Sequence, residues 1–214
     1  MATTTRDILL FIPNLIGYVR IVLAIFSAYY MPFDYVKASF CYAISVALDA
    51  IDGHAARAFN QGTKFGAMLD QLTDRASTAT LVMTLSYFYP KYVFLLQMSL
   101  VIDIVSHWMH LHVSIMKGSS HKSMGLDSNP IMKLYYTSRP VLFFMCAGNE
   151  VFYSMLYLLY FIEGPIVFGV SILRVFLFVS FPIMAAKTFI SLIHLIDASI
   201  RLCAIDAEER NKSN

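Results

Sequence analysis

The chain has 214 residues, of which 58% are hydrophobic and 14% are charged, and its formal net charge is +2. A soluble domain usually carries about 25% charged residues, so the composition predicts a membrane protein. A net charge this small gives no indication of a nucleic-acid partner. The length suits one domain, residues 1–214, and the 3 cysteines lack the paired spacing of a disulfide framework.

Apolar segments long enough to cross a bilayer, which takes about 20 residues of helix, follow one another along the chain. The pattern predicts an all-α, polytopic membrane protein with six transmembrane helices and a short interfacial segment over residues 8–12. The predicted spans are 13–31, 33–57, 65–89, 92–115, 131–162 and 166–200. The charged tail over residues 206–214 is predicted to be flexible.

Basic residues are unevenly distributed between the two sides of this six-span topology, which places both termini on one side. The turns on the opposite side hold only Lys37 and Lys91. The side with the termini carries the other basic residues that flank spans: Arg6, Lys64, Lys117, Lys122, Lys133, Arg201, Arg210 and Lys212. The positive-inside rule therefore predicts that both termini, and the polar link that contains Lys64, are cytoplasmic.

Aspartates lie inside the second and third predicted spans, where an ionisable side chain is costly and by default marks a functional site. Asp49 and Asp52 are three residues apart, so they share one face of a helix. Asp70 and Asp74 are four residues apart and share a face of the next helix. If the two helices are antiparallel across the link at 59–64, Asp52 faces Asp70 and Asp49 faces Asp74. The spacing thus predicts carboxylates at two matched depths.

These four carboxylates cannot all be ionised at short range without nearby cations. Two divalent metal ions would supply that charge, and hard oxygen ligands suit Mg²⁺ or Mn²⁺. No histidine or cysteine lies at zinc-site spacing around the aspartates. Two alternatives stay open: a purely structural network of aspartate–arginine pairs between helices, and a non-catalytic membrane protein that binds divalent cations.

Small and basic residues accompany the aspartates. Gly53 and Gly66 leave the backbone uncovered, so that a phosphate group can approach closely. The small side chain of Ala56 also leaves space for a ligand there. Arg57 can hold phosphate oxygens with both arms of its guanidinium. An ion pathway needs neither feature, so the combination favours phosphoryl-transfer chemistry.

Residues 49–74 follow the pattern D-x2-D-G-x2-A-R-x8-G-x3-D-x3-D. The fixed positions are all matched: Asp49, Asp52, Gly53, Ala56, Arg57, Gly66, Asp70 and Asp74. This pattern resembles the signature of the CDP-alcohol phosphotransferase family. The resemblance implies an enzyme that transfers a phosphate-linked group from a CDP-linked donor to an alcohol and releases CMP.

Further segments are similar to the eukaryotic branch of that family, which uses CDP-diacylglycerol as donor and myo-inositol as acceptor. They are residues 13–20, 47–57, 61–70, 106–112 and 135–140. The resemblance therefore also implies phosphatidylinositol as product, a homodimer, and a location in the endoplasmic reticulum membrane.

The resemblance implies a role for individual residues. The aspartates would hold two metal ions, and Asp74 would also be the catalytic base that takes the proton of the attacking hydroxyl. CDP-diacylglycerol would be bound by Gly53, Ala56, Arg57, Gly66, Asn14 and Arg20. The last two match the family pattern P-N-x-x-T-x-x-R, in which Gly17 replaces the threonine here. For Arg20, snorkelling to the membrane interface is the alternative.

The acceptor site is predicted near Arg139, which follows Tyr136, Thr137 and Ser138, with Lys133 as a second cation. So few cations suit a neutral polyol such as inositol better than a phosphorylated acceptor, although glycerol phosphate and serine remain alternatives. Asp103 and His107 share a face of the fourth span, with Ser106 and His110 close by. This face either lines the acceptor cavity or forms a hydrogen-bond network between helices.

Overall fold

The computed structural model describes residues 3–117 and 138–213, and the chain divides into two compact units, Met1–Phe88 and Tyr89–Asn214. Almost all of the described chain is helical, so the all-α prediction is confirmed. The two units are called the N-terminal and the C-terminal unit below.

The N-terminal unit contains four helices, α1 (Thr5–Leu9), α2 (Ile12–Tyr30), α3 (Tyr35–Ala58) and α4 (Lys64–Phe88). Helix α1 overlaps the start of the predicted interfacial segment, residues 8–12, whose position at a membrane interface remains a prediction. The helix begins with a capping box, in which Thr4 and Asp7 each accept a hydrogen bond from the other's backbone N–H. Pro13 lies in the first turn of α2, where its missing N–H costs nothing. Asp34 caps α3 by accepting a hydrogen bond from the backbone N–H of Lys37 at 3.1 Å.

Helix α2 packs against both α3 and α4, so it is the centre of this unit. Small polar side chains join α2 to α3 at two levels. Ser27 donates to the carbonyl oxygen of Ala38 at 2.9 Å, and Ser45 donates to the carbonyl oxygen of Arg20 at 3.2 Å. Small residues allow two helices to approach closely, and this approach positions the α2 side chains between α3 and α4.

The link between α3 and α4 also contacts the start of α2. Asn60 adopts a positive φ of 52°, which reverses the chain after α3. Gln61 then accepts a hydrogen bond on its side-chain oxygen from the backbone N–H of Ile12 at 3.0 Å. The link therefore satisfies an N–H that the first turn of α2 leaves without a helical partner.

The C-terminal unit begins with a 3₁₀ turn (Pro90–Tyr92) and contains α5 (Val93–Lys117), α6 (Arg139–Phe161) and α7 (Ile172–Ser213). Helix α7 packs against α5 and α6. Tyr89 donates from its hydroxyl to the carbonyl oxygen of Leu156 at 3.0 Å. The first residues of the predicted fifth span, 131–137, lie outside the described residues.

A β-hairpin between α6 and α7 corrects the prediction that the last helix begins at residue 166. Its strands are β1 (Ile166–Val167) and β2 (Val170–Ser171), and they pair antiparallel. Gly164 and Gly169 adopt positive φ angles of 70° and 80°, which a helix cannot accommodate. The last helix therefore begins at Ile172, and it continues to Ser213 through the tail. Flexibility of that tail remains a prediction.

Four helices in the described chain are long and apolar enough to cross a membrane: Ile12–Tyr30, Pro90–Met116, Pro140–Phe161 and Ile172–Lys212. Helices α3 and α4 are as long but carry the aspartates and their flanking basic residues, so they do not qualify by composition. Large apolar side chains such as Phe94, Trp108 and Phe178 are exposed, as expected of surfaces that contact lipid. The chain is thus a multi-pass membrane protein, and the number of six spans remains a prediction.

Candidate active site

Arg20 lies at the centre of the four predicted aspartates. It projects from α2, whereas Asp49 and Asp52 belong to α3 and Asp70 and Asp74 to α4. Its Nη1 contacts Asp52 Oδ2 at 2.6 Å and Asp70 Oδ1 at 2.7 Å. Its Nη2 contacts Asp49 Oδ1 at 2.7 Å and Asp74 Oδ1 at 2.5 Å. One guanidinium therefore joins carboxylates from two other helices.

The carboxylates are grouped as the helical spacing predicts. Asp52 and Asp70 share one arm of the guanidinium, and Asp49 and Asp74 share the other. The two arms mark two levels along antiparallel α3 and α4. The predicted matched depths therefore agree with the described geometry.

Snorkelling does not account for Arg20, because its side chain is buried. The family resemblance predicts Arg20 as a contact to CDP-diacylglycerol and does not predict its position among the aspartates. The sequence does contain one indication of this position. A charged side chain inside an apolar span usually faces the protein interior and has a partner of opposite charge, and the aspartates of the next two spans are such partners for Arg20.

One oxygen from each of Asp49, Asp70 and Asp74 lies within 4.8 Å of the others. These side chains are partly exposed, whereas Asp52 is buried deeper, against Arg20. Three converging carboxylates form a donor set of hard oxygens, which fits Mg²⁺ or Mn²⁺. Arg20, together with Arg75 at 3.8 Å from Asp74, cannot balance four ionised carboxylates, so the remaining negative charge also favours a divalent cation here.

A cavity of about 200 Å³ opens beside this cluster, between α2, α3, α4 and the link. Asp52 and Asp70 lie on its wall. The predicted donor-binding residues that also line it are Asn14, Gly53, Ala56, Arg57 and Gly66. Arg20 does not line the cavity and instead contacts the aspartates behind it. The described geometry therefore brings five of the six predicted donor-binding residues to one cavity.

Two glycines of this region have neighbours close to the position that a Cβ would occupy. A Cβ at Gly66 would lie 2.7 Å from Asn14 Oδ1, and Asn14 is buried and donates to the carbonyl oxygen of Ile8 at 2.5 Å. A Cβ at Gly17 would lie 2.9 Å from Leu69 Cδ2, so the threonine of the family pattern would need Leu69 to move. At Gly53 a Cβ would meet only Arg57 Nη1, at 3.7 Å.

The cavity has a cation that none of the described residues neutralises. Arg57 lies in the last turn of α3 and forms no ion pair with any residue in the described ranges. Arg75, by contrast, approaches Asp74 with Nη1 at 3.8 Å from Oδ2. Arg57 is therefore the guanidinium available to hold phosphate oxygens in the cavity.

The predicted acceptor residues are only partly described. Lys133 lies outside the described residues. Arg139 is the first residue of α6, and its side chain is not among those described. Both assignments remain predictions.

The polar face of α5 contacts α7. Lys187 donates to Asp103 Oδ1 at 3.2 Å, and His107 Nδ1 lies 3.6 Å from the same oxygen. His110 Nδ1 and His194 Nε2 are 2.7 Å apart. The geometry supports the alternative of an interhelical network. The sequence analysis does not predict Lys187 and His194 as members of this network. Both are ionisable residues inside the last apolar segment, and that position is the feature of the sequence that indicates a partner.

A family model described as CDP-alcohol phosphatidyltransferase matches residues 10–162. A human protein is 54% identical over 208 residues, which cover 97% of this chain and 98% of the relative. A Drosophila melanogaster protein is 49% identical over 207 residues, covering 96% and 91%, and a Saccharomyces cerevisiae protein is 40% identical over 212 residues, covering 99% and 94%. All three relatives are named CDP-diacylglycerol–inositol 3-phosphatidyltransferase. No solved structure matches the chain.

Proposed function

Because the chain belongs to the CDP-alcohol phosphatidyltransferase family, we propose that it transfers the phosphatidyl group of CDP-diacylglycerol to myo-inositol, giving phosphatidylinositol and CMP. The predictions of this family and of an enzyme are confirmed. The donor and the acceptor come from the name that the human, fly and yeast relatives share.

The observation that carries the proposal is a cavity whose wall combines Asp52 and Asp70 with Gly66 and with Arg57, which forms no ion pair with the described residues. Carboxylates alone would repel the diphosphate of the donor. Together with divalent metal ions, the guanidinium of Arg57 and the uncovered backbone of Gly66, these carboxylates form a site that suits a diphosphate. A structural network of ion pairs would need neither the cavity nor Arg57.

We assign Asp49, Asp52, Asp70 and Asp74 to two Mg²⁺ or Mn²⁺ ions. The converging oxygens of three of these residues support the assignment. When bound, the metal ions would neutralise the diphosphate and the charge that develops on the leaving CMP. Arg20 keeps the carboxylates of α3 and α4 together and balances part of their charge.

The protein side chains orient the donor and move one proton. Arg57 binds phosphate oxygens beside the uncovered backbone of Gly53. Its Nη1 lies 3.7 Å from the position that a Cβ at Gly53 would occupy, so the guanidinium is close to that backbone. The acceptor oxygen then forms a bond to the phosphorus that carries diacylglycerol, and the bond from this phosphorus to the CMP oxygen breaks. Asp74 accepts the hydroxyl proton. Its side chain is 36% exposed, so a hydroxyl group of the acceptor can reach the carboxylate.

The acceptor remains assigned to Arg139, the first residue of α6, and to Lys133. A neutral polyol such as inositol needs hydrogen-bond donors more than a cluster of cations. Glycerol phosphate and serine are the alternative acceptors.

We further propose six spans, a homodimer, and a location in the endoplasmic reticulum membrane with both termini and the aspartates on the cytoplasmic side. Helix α3 has 24 residues and α4 has 25. At about 1.5 Å per residue both exceed the roughly 30 Å of a hydrocarbon core, which supports two further spans. Their four aspartates form ion pairs with Arg20, which reduces the cost of placing these carboxylates in a membrane.

The test is CMP release from CDP-diacylglycerol by the purified protein in phosphatidylcholine vesicles with Mn²⁺. We expect myo-inositol to give the fastest release, and Asp52→Asn to reduce release to background. Faster turnover of serine or glycerol phosphate would overturn the choice of acceptor. Binding of Mn²⁺ without CMP release from any alcohol would favour the non-catalytic cation-binding protein.

A further inference from the structure

The link between α6 and α7 is an apolar hairpin. Ile166, Val167, Phe168 and Val170 are all exposed, and Phe168 is fully exposed. No charged residue occurs between Glu163 and Arg174. Loops in water are usually made of Gly, Pro, Asn, Asp and Ser, so this surface is unusual for an aqueous link.

The turn of the hairpin holds a bulky residue in an unfavourable backbone conformation. Val167 pairs with Val170, so Phe168 and Gly169 form a two-residue turn, and their φ angles are 51° and 80°. Two-residue hairpin turns with positive φ at both positions favour Asn-Gly or Asp-Gly. A phenylalanine at positive φ is rare because this backbone conformation is strained. The ring of Phe168 is fully exposed, so no contact with the described residues buries it and offsets the strain.

The base of the hairpin is polar and well held. Arg174 Nη2 and Glu163 Oε1 form an ion pair at 2.7 Å. Ser171 donates from its hydroxyl to the carbonyl oxygen of Glu163, and the backbone N–H of Ile172 donates to the carbonyl oxygen of Pro165 at 3.0 Å. The hairpin thus has a charged base and an uncharged apolar tip.

Its neighbours place the hairpin at a membrane surface. The segments on either side, Pro140–Phe161 and Ile172–Lys212, are both long and apolar enough to span a bilayer. The link between two such spans lies where the chain leaves and re-enters the apolar layer. An aromatic side chain is well suited to that interface, and charged side chains at the base suit the level of the headgroups.

We propose that the tip of this hairpin, residues 166–170, inserts into the boundary between headgroups and acyl chains of a lipid leaflet. Burial of Phe168 and its apolar neighbours there provides the favourable contact that offsets the strained turn. The absence of charge on the tip selects the apolar side of the boundary, and the Glu163–Arg174 pair stays among the headgroups. The hairpin then anchors the α6–α7 pair at a defined depth in the membrane.

The test uses a tryptophan at the tip as a depth reporter. The chain has 1 tryptophan, Trp108, so the double variant Trp108→Phe/Phe168→Trp carries a single reporter. The protein is reconstituted in phosphatidylcholine vesicles that contain lipid brominated either near the headgroup or near the chain end, and aqueous iodide is the third quencher. Wild-type Trp108, exposed on the apolar helix α5, serves as the reference for a tryptophan facing lipid.

We expect headgroup-proximal bromine to quench the tip reporter more than chain-end bromine, and iodide to have little effect. Quenching by iodide without quenching by lipid would place the tip in water and overturn the proposal. Protection from all three quenchers would mean that protein, such as a second copy of the chain, covers the tip, and would overturn it as well.

Because a tryptophan could disturb the turn, Trp108→Phe/Ile166→Trp provides a second reporter on a strand position with ordinary backbone geometry. Circular dichroism and size-exclusion chromatography of both variants check that each is folded. The quenching readout does not depend on turnover, so it stays informative whatever the acceptor of the enzyme is.

Discussion

Arg20 Nη1 lies 2.6 Å from Asp52 Oδ2, and the two side chains are only 3% and 10% exposed. A buried ion pair that loses one partner leaves an uncompensated charge, which typically costs about 3–5 kcal/mol. Within the N-terminal unit this pair joins α2 to α3. Removal of either partner is therefore expected to destabilise the N-terminal unit.

The first prediction follows from this pair. Arg20→Met is expected to lower the free energy of unfolding by roughly 3–5 kcal/mol, because Asp52 is left buried beside an apolar group. In the double variant Arg20→Met/Asp52→Asn the loss should be smaller than the sum of the single losses. Thermal unfolding in detergent measures both quantities. Strictly additive losses would contradict the energetic coupling of these two residues.

The second prediction concerns the carboxylates. Asp→Asn at position 49, 52, 70 or 74 keeps the side-chain shape but removes a negative charge, so each variant should retain less than about a tenth of wild-type CMP release, which corresponds to about 1.4 kcal/mol in the barrier. Asp74→Asn should lose turnover with a smaller loss of CDP-diacylglycerol binding, because Asp74 is assigned the proton transfer.

Asp34→Asn is the matched control for this series. Asp34 is a partly exposed N-cap outside the cluster, and asparagine caps a helix as well as aspartate does. Its activity should stay near that of the wild type. Turnover above about a tenth of the wild-type value in any of the four cluster variants would remove that residue from the assigned site.

The third prediction is a dependence on a divalent metal. Chelation should abolish CMP release, Mg²⁺ or Mn²⁺ should restore it, and Zn²⁺ should not, because the donor set consists of carboxylate oxygens. Metal binding should also raise the unfolding temperature of the wild type and leave that of Asp49→Asn/Asp70→Asn almost unchanged. Full turnover after exhaustive chelation would rule out the metal assignment.

The fourth prediction compares two glycines near the cavity. Gly66→Ala places a Cβ 2.7 Å from Oδ1 of the buried Asn14, so it should displace Asn14 and raise the KM for CDP-diacylglycerol several-fold. Gly62→Ala meets nothing within 4 Å and is the steric control. Steady-state kinetics over a range of donor concentrations distinguishes them. Equal effects of the two substitutions would show that the packing against Asn14 is unimportant for donor binding.

The fifth prediction addresses the acceptor. Arg139→Ala should raise the KM for myo-inositol more than the KM for CDP-diacylglycerol, because Arg139 is assigned to the acceptor and not to the diphosphate. Arg6→Ala, an exposed basic residue of α1, is the control. A change confined to the KM of CDP-diacylglycerol would move Arg139 to the donor site.

The arrangement of the carboxylates could be predicted because it depends on local periodicity. A helix places residues three or four apart on one face, and a short link makes two helices antiparallel. The sharing of Nη1 by Asp52 and Asp70, and of Nη2 by Asp49 and Asp74, agrees with that reasoning. Glycine spacing likewise indicated the uncovered backbone beside the aspartates, and Gly53 and Gly66 both line the cavity.

The hairpin was missed for a different reason. An apolar run such as 166–170 is compatible with a strand or with a helix, and periodicity alone does not separate the two in a short segment. Gly164 and Gly169 were visible, but their positive φ angles are a property of the folded turn.

The sequence by itself determined the helical class, the membrane character and the pairing of the four aspartates, because these depend on composition and on the 3.6-residue period of a helix. Only the tertiary structure decided that Arg20 joins them and that Lys187 meets Asp103, 84 residues away. Each of these cations lies on another helix, and the rotation of that helix about its axis is set by packing against its neighbours. No local pattern in the chain encodes that rotation.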